Sequence, residues 1–391
     1  MAVVLFFDGV VEVLHVCEYG YSVHNDPGKQ EREMKIDRIE WWEVNQFVHQ
    51  EMVNSPEYAD THEQWDLVPK FILRLDTDDG HYGVGETSRG VQRTDIESAG
   101  RQLLGADPRR VSLRQLPIDG MPWPTARGFE VGLFDLVGRV RGMSVSELLG
   151  GACRDHVISS YWAGLQTPEH SLAAATAARD GGYSCLKFKI MKGMPVIERL
   201  QRMREVAPDL RFIVDAMQRY DDLEEMKELV RQMADLNVVC LEDPLPRDRH
   251  DWYRQLRQEG EIPIAQHLGS TQAVLEALQQ DAVDIFNCSP VSLVEFVRMV
   301  DLAGVAGKPC WHGSGVDLGL LDLAYIHACA VPEAATIPHD ILSTPLHVDD
   351  FVIDMPLREG ERIAVPDAPG LGGELDMGAV EQFLISNGEI S

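Results

Sequence analysis

The chain has 391 residues, a length that suits two domains or a barrel with a cap. Its 45% hydrophobic content supports a sizeable core, and the absence of any run of about 18 apolar residues excludes an ordinary membrane-spanning helix. Thirty-five Lys and Arg against 63 Asp and Glu leave a formal charge of −28, which argues against nucleic acid and membrane surfaces as partners and requires a local positive site for any anionic ligand.

The first residues, "MAVVLFFDGVVEV", are apolar but lack a basic leader and soon reach Asp8 and Glu12, so they read as a strand rather than a signal peptide. The stretch "FILRLDTDDGHYGVGETS" at 71–88 alternates, turns at Asp78-Asp79-Gly80 and alternates again, which predicts a β-hairpin. Residues 127–149 carry Val131, Phe134, Leu136, Val137 and Val140 at helical spacing, and Gly150-Gly151 then breaks the chain.

From about residue 157 the pattern changes to short apolar runs alternating with amphipathic helices. The runs are "VISSYWA" (157–163), "CLKFKI" (185–190), "RFIVDA" (211–216), "VVCLEDP" (238–244), "IPIAQH" (262–267), "AVDIFN" (282–287), "KPCWHG" (308–313) and "EAATIPH" (333–339). Such a strand–helix alternation predicts an α/β fold, a (β/α)8 barrel of the TIM type, with its chemistry at the C-terminal ends of the strands. Seven cysteines, odd in number and without a C-x-x-C, lie scattered along the chain, and Cys185, Cys240 and Cys329 fall in apolar segments. Reduced thiols in a cytoplasmic protein are expected.

The runs end in, or just past, groups that ionise or bind metals: Lys189, Asp215, Glu242, His267, His312 and His339. They recur at the spacing of strand–helix units, which would set all six on one rim. Asp215 and Glu242 end adjacent strands, and two neighbouring carboxylates call for a cation between them; oxygen ligands suit Mg²⁺. The alternative for "LEDP" is a turn in which Glu242 or Asp243 caps the next helix. Lys187 and Lys189 share one face of their strand, with Phe188 on the other. Lys187 can keep its charge and hold an anion while lowering the pKa of Lys189 into the range of a base; the alternative is a solvated edge strand. His312 is expected to face Lys189 across the mouth as a second base or acid, against the commoner structural role of a lone histidine.

These motifs together resemble the enolase superfamily, in its mandelate racemase/muconate lactonizing enzyme subgroup. The similarity spans nearly the whole chain: the hairpin "LRLDTDDGHYGVGETSRG", the helix "GLFDLVGRVRGMSVSELLGG", the K-x-K of "LKFKI", then "VDAM", "LEDP", the histidine after strand seven and the tail "VPDAPGLGGELD". The resemblance implies an N-terminal α+β capping domain (1–125), the barrel (126–345) and a C-terminal segment (346–391) that returns to the cap. It implies a small-molecule carboxylate substrate, Asp215, Glu242 and His267 as ligands of Mg²⁺, Lys187 and Lys189 beside them, and a homo-oligomer, dimer or octamer. Proton abstraction would give an enediolate, which collapses by dehydration of a sugar acid or related hydroxy acid or, alternatively, by racemisation or epimerisation; a non-catalytic protein on the same fold is the third reading.

Three positions depart from the subgroup. After strand five, Gln266 and His267 replace the usual carboxylate or amide, so His267 is the expected ligand; its imidazole also suits Mn²⁺ or another divalent transition metal. After strand six, Asn287 or Ser289 stands where an Asp would orient His312. At strand eight, Pro338-His339-Asp340 replaces a carboxylate, and His339 either protonates a leaving group, binds substrate or caps a turn, with Asp340 able to take over. The resemblance also places specificity in the cap, in the loop 18–31 with Tyr19, Tyr21 and His24 and in a second loop near 45–65. Trp41 and Trp42 line the pocket or belong to the core.

Overall fold

The computed structural model describes residues 2–7, 10–15, 33–58, 68–289 and 292–391. Tyr19, Tyr21 and His24 lie outside the described residues. Two compact units are present, Met1–Glu33 and Met34–Ser391. In the first, Ala2–Phe7 pairs antiparallel with Val10–His15.

The second unit joins a four-stranded antiparallel sheet to a barrel. In the sheet, Ile36–Gln46 is flanked by Val68–Thr77 and by the C-terminal strand Leu384–Ile390, and Tyr82–Glu86 completes the predicted hairpin. Its apolar face packs on the helix Trp123–Arg141 through Phe129, Leu133 and Leu136. Gly85 makes the approach possible, because a Cβ there would lie 2.1 Å from the carbonyl oxygen of Gly128. The opposite side of the same helix, through Val131 and Phe134, enters the barrel's core. The expected boundary at 125/126 therefore falls inside an element that serves both layers. Trp41 and Trp42 belong to these apolar clusters, with Trp41 edge-on to Phe71 at 5.7 Å.

Seven parallel strands form the barrel wall in sequential order: Tyr161–Leu165, Cys185–Lys189, Arg211–Asp215, Val238–Glu242, Ile264–Leu268, Ile285–Cys288 and Cys310–His312. The first predicted run divides in two. His156–Ile158 pairs antiparallel with Arg362–Ala364, and only Tyr161–Leu165 enters the wall. The eighth run forms no continuous strand. It closes the wall through the parallel bridges Cys310↔Ala335 and Ser159↔His339. Alternate residues of six strands meet inside: Cys185, Ile213, Cys240, Ala265, Ile285 and Trp311 form one buried apolar layer. The residues between them face outward into a larger core shared with the helices. Among the described residues, no helix is long and apolar enough to cross a membrane.

Candidate active site

The inward layer fixes which side chains can reach the C-terminal mouth. Two residues beyond it on each strand come Lys187, Asp215, Glu242, His267, Asn287 and Gly313, with Lys189 one step further on the second strand. All of these except Glu242 line a cavity of about 100 Å³, together with Asp340 from the eighth segment. Backbone strain gathers at the same rim, where Met217, Gln218 and Asp243, all just past strand ends, have φ of 50°, 59° and 46°.

Lys187 sits between two carboxylates. Its Nζ donates to Asp340 Oδ2 at 2.8 Å and lies 2.9 Å from Glu242 Oε2. Burial alone would lower its pKa, but Asp340, Glu242 and Asp215 outweigh that and hold it well above the usual lysine value. Lys187 is therefore a fixed cation. Glu242 also accepts a hydrogen bond from Asn287 Nδ2 at 2.6 Å, and Asp340 Oδ1 accepts one from the Ser160 hydroxyl at 3.1 Å.

Lys189 pairs in register with Asp215, and its ammonium lies 5.8 Å from the centre of the Trp162 ring. The strand end beneath it is held by the buried Arg199, which donates to the Lys189 carbonyl at 3.0 Å and to Ser171 Oγ at 2.8 Å. Asp215 accepts from the Met217 N–H at 2.9 Å, and burial followed by the Glu242 charge raises its pKa. Burial and then Lys187 lower the His267 pKa to about 3, so its imidazole is neutral and able to bind a metal.

Glu242, Asp243 and His267 offer donor atoms within 4.8 Å of one another. Asp243 is ion-paired to Arg247 and accepts the His267 N–H at 3.1 Å. The expected trio of Asp215, Glu242 and His267 is thus brought to one region, with Asp243 rather than Asp215 completing the tightest group. Around the cavity the carboxylates of Asp215, Glu242 and Asp340 face the ammonium groups of Lys187 and Lys189. This leaves one negative charge; a divalent cation would reverse it, and a monocarboxylate would then neutralise the whole. The donor set and the charge balance both fit such a cation.

Besides Glu242, which stands just behind Lys187, two expected residues do not line the cavity. His312 does not face Lys189. Trp311 holds the inward position, and His312 pairs in register with Cys288, an outward-facing core residue. The His312 ring is fully buried and stacks on Tyr325 at 3.7 Å. Burial, with Arg127 and His339 nearby, depresses its pKa far below the usual value despite Asp317. The next inward position is Gly313, where a Cβ would lie 2.3 Å from Asn287 Oδ1, so strand seven sends no side chain into the mouth. His339 is turned away from the cavity: its Nδ1 accepts the His312 backbone N–H at 3.0 Å, and burial lowers its pKa to about 3. Asp340 takes the inward place.

Sequence reasoning missed the cavity's apolar wall, made of Trp162, Val316, Leu342 and Leu346. It also missed a second buried ionic cluster, in which Lys70 pairs with Glu86 and lies 3.7 Å from Asp317, itself 3.6 Å from Arg127. The lysine before the apolar run "FILRL" was the available signal.

Residues 171–379 match the family described as enolase C-terminal domain-like. The o-succinylbenzoate synthase of Bacillus subtilis is 26% identical over 66% of this chain and 70% of its own. The arabinonate dehydratase of Saccharolobus solfataricus is 26% identical over 79% of this chain and 89% of its own. The crystal structure of the N-succinyl Arg/Lys racemase from Bacillus cereus superposes with a TM-score of 0.80 at 19% identity, covering 91% of this chain and all of that one, which speaks to the fold alone.

Proposed function

The chain belongs to the enolase superfamily, in its mandelate racemase/muconate lactonizing enzyme subgroup, and on that premise we propose that it dehydrates a hydroxy acid by removing the proton α to a carboxylate. A divalent cation held by Glu242, His267 and the neighbouring Asp215 or Asp243 would polarise the substrate carboxylate and stabilise the enediolate. Mg²⁺ is the expected ion, and the His267 imidazole also admits Mn²⁺.

Lys189 is the base, and the fixed ammonium of Lys187 offsets the growing negative charge. The observation that carries the choice of dehydration is the burial of His312 behind the wall. Racemisation needs proton transfer on both faces of the carbanion, whereas elimination needs it on one. Lys189 takes the α-proton, the β carbon–oxygen bond breaks, and the same ammonium returns its proton to the departing hydroxyl. Water leaves, and where the α-carbon carries a hydroxyl, as in a 2,3-dihydroxy acid, the resulting enol becomes a 2-oxo acid. Sugar acids and related hydroxy acids are the class expected from the sequence.

A second reading is supported by His267, among the described residues the other titratable group that lines the cavity besides the lysines and aspartates, three strands round the barrel from Lys189. If it serves the opposite face, the reaction is racemisation or epimerisation. Incubating hydroxy acids with the protein and Mg²⁺ or Mn²⁺ in D₂O distinguishes the readings. Dehydration gives 2-oxo acid, which Lys189→Met lowers by about 10²-fold or more. Deuterium entry at the α-carbon without 2-oxo acid would favour racemisation, and neither outcome across a broad panel would rule out the proposed chemistry.

A further inference from the structure

The cavity has two unlike halves. One is ionic, with Lys187, Lys189, Asp215, His267 and Asp340. The other is hydrocarbon: Trp162, Val316, Leu342 and Leu346 are 4%, 3%, 4% and 1% exposed and form one cluster with Val48, Met52 and Val53.

Val316 occupies this wall at a cost. Its φ is 67°, a left-handed backbone that a β-branched residue rarely adopts. The surrounding loop is built to hold it there. Ser314 Oγ accepts the N–H groups of Val316 and Asp317, both at 3.1 Å. Asp317 Oδ2 accepts the Gly315 N–H at 3.1 Å and the Ser314 hydroxyl at 3.2 Å. Asp317 is in turn fixed between Lys70 and Arg127. A loop needing only a tight bend would be served by glycine; this one maintains strain and presents an isopropyl group to the cavity.

We propose that the apolar wall is a subsite for a short alkyl group. The substrate class is then 2,3-dihydroxy acids whose remaining substituents are hydrocarbon, rather than polyhydroxylated sugar acids, and Val316 is a specificity-determining residue. A polyol placed here would set hydroxyls against Val316, Leu342 and Leu346 side chains that offer no hydrogen-bonding atoms.

The inference rests on the carboxylate-binding reading above, and binding separates it from catalysis. The Lys189→Met protein with Mg²⁺ is titrated calorimetrically with 2,3-dihydroxypentanoate and with 2,3,4,5-tetrahydroxypentanoate, which share one carbon skeleton. The dihydroxy acid is expected to bind about tenfold tighter or more. Val316→Ser in the same background should narrow that preference to about threefold or less. Equal binding, a preference for the tetrahydroxy acid, or no binding of either overturns the proposal, and these outcomes do not depend on how Val316→Ser folds. If the wild type binds the dihydroxy acid preferentially yet forms no 2-oxo acid and exchanges no α-proton, the proposed reaction falls and the subsite stands. If it dehydrates the tetrahydroxy acid in preference, the reaction stands and the subsite falls.

Discussion

Two buried ionic clusters lie within the larger unit, and they differ in what their charges have left to do. In the first, Lys70 and Arg127 face Glu86 and Asp317, so the charges balance. Backbone groups add to it: Glu86 accepts the N–H groups of Leu318 at 2.8 Å and Leu321 at 3.0 Å, and Asp317 accepts from the loop it anchors. In the second, Lys187 and Asp340 line a cavity, Glu242 pairs with Lys187, and with Asp215 and Lys189 they carry a surplus negative charge. A charge-balanced cluster closed to water fixes structure; an unbalanced one beside open space can bind. Burial of charge alone does not mark a functional site.

The largest expected effect tests the balanced cluster. Replacing Asp317 with Ala leaves Lys70 and Arg127 with one carboxylate between them, in a place closed to water. Opposing charges hold the Asp317 pKa far below the usual range although burial acts the other way. Loss of one partner of such a pair should cost about 3–5 kcal/mol. Urea unfolding measures it, and a cost near zero would mean that the cluster does not anchor the loop before Leu318.

How far the sequence disclosed these two clusters follows from periodicity. The barrel was legible because eight apolar runs alternate with helices, and the ionisable residues ending runs two to five share inward parity, so Lys189, Asp215, Glu242 and His267 lie at one end of the wall. Parity also misled at strands seven and eight. His312 ends its run as visibly as Glu242 does, but Trp311 holds the inward place and Asp340, not His339, completes the eighth segment. A one-residue change of phase moves a side chain to the other face, and within a three-residue strand such as Cys310–His312 no alternation remains to reveal it. The balanced cluster was hidden for another reason: its members lie far apart in sequence, at 70, 86, 127 and 317, and only the packing of sheet, helix and loop brings them together.

His312, adjacent to that cluster, supplies the next effect in size. Its Nε2 lies 3.8 Å from Asp317 Oδ2, yet the folded protein keeps the ring neutral because burial pushes its pKa well below 6.5. The unfolded chain binds a proton there near pH 6.5, so the wild type is fully stable with respect to this group above that pH and loses stability as pH falls below it. His312→Phe preserves an aromatic ring against Tyr325 and removes the titration. Relative to the wild type, the variant should gain about 2 kcal/mol between pH 8 and pH 5. Thermal unfolding of both proteins across that range reads the difference, and a gap independent of pH would show that Asp317 shares a proton with the imidazole.

The smallest stability effect should come from the cavity, and it sharpens the contrast most. In Glu242→Gln the side chain keeps its shape and its one carbonyl oxygen can still accept from Asn287, with the amide NH₂ turned toward Lys187, which retains Asp340. Because the remaining partner satisfies the ammonium, the cost should stay near 1 kcal/mol. The same change removes a charged oxygen from the group formed with Asp243 and His267, so Mn²⁺ affinity, read by calorimetry, should fall about tenfold or more. A protein that loses its cation but barely any stability behaves as a site with charge held in reserve for a ligand. The reverse result, a cost like that of Asp317→Ala with cation affinity unchanged, would make the Lys187 cluster a second structural anchor and remove the reason for placing a metal there.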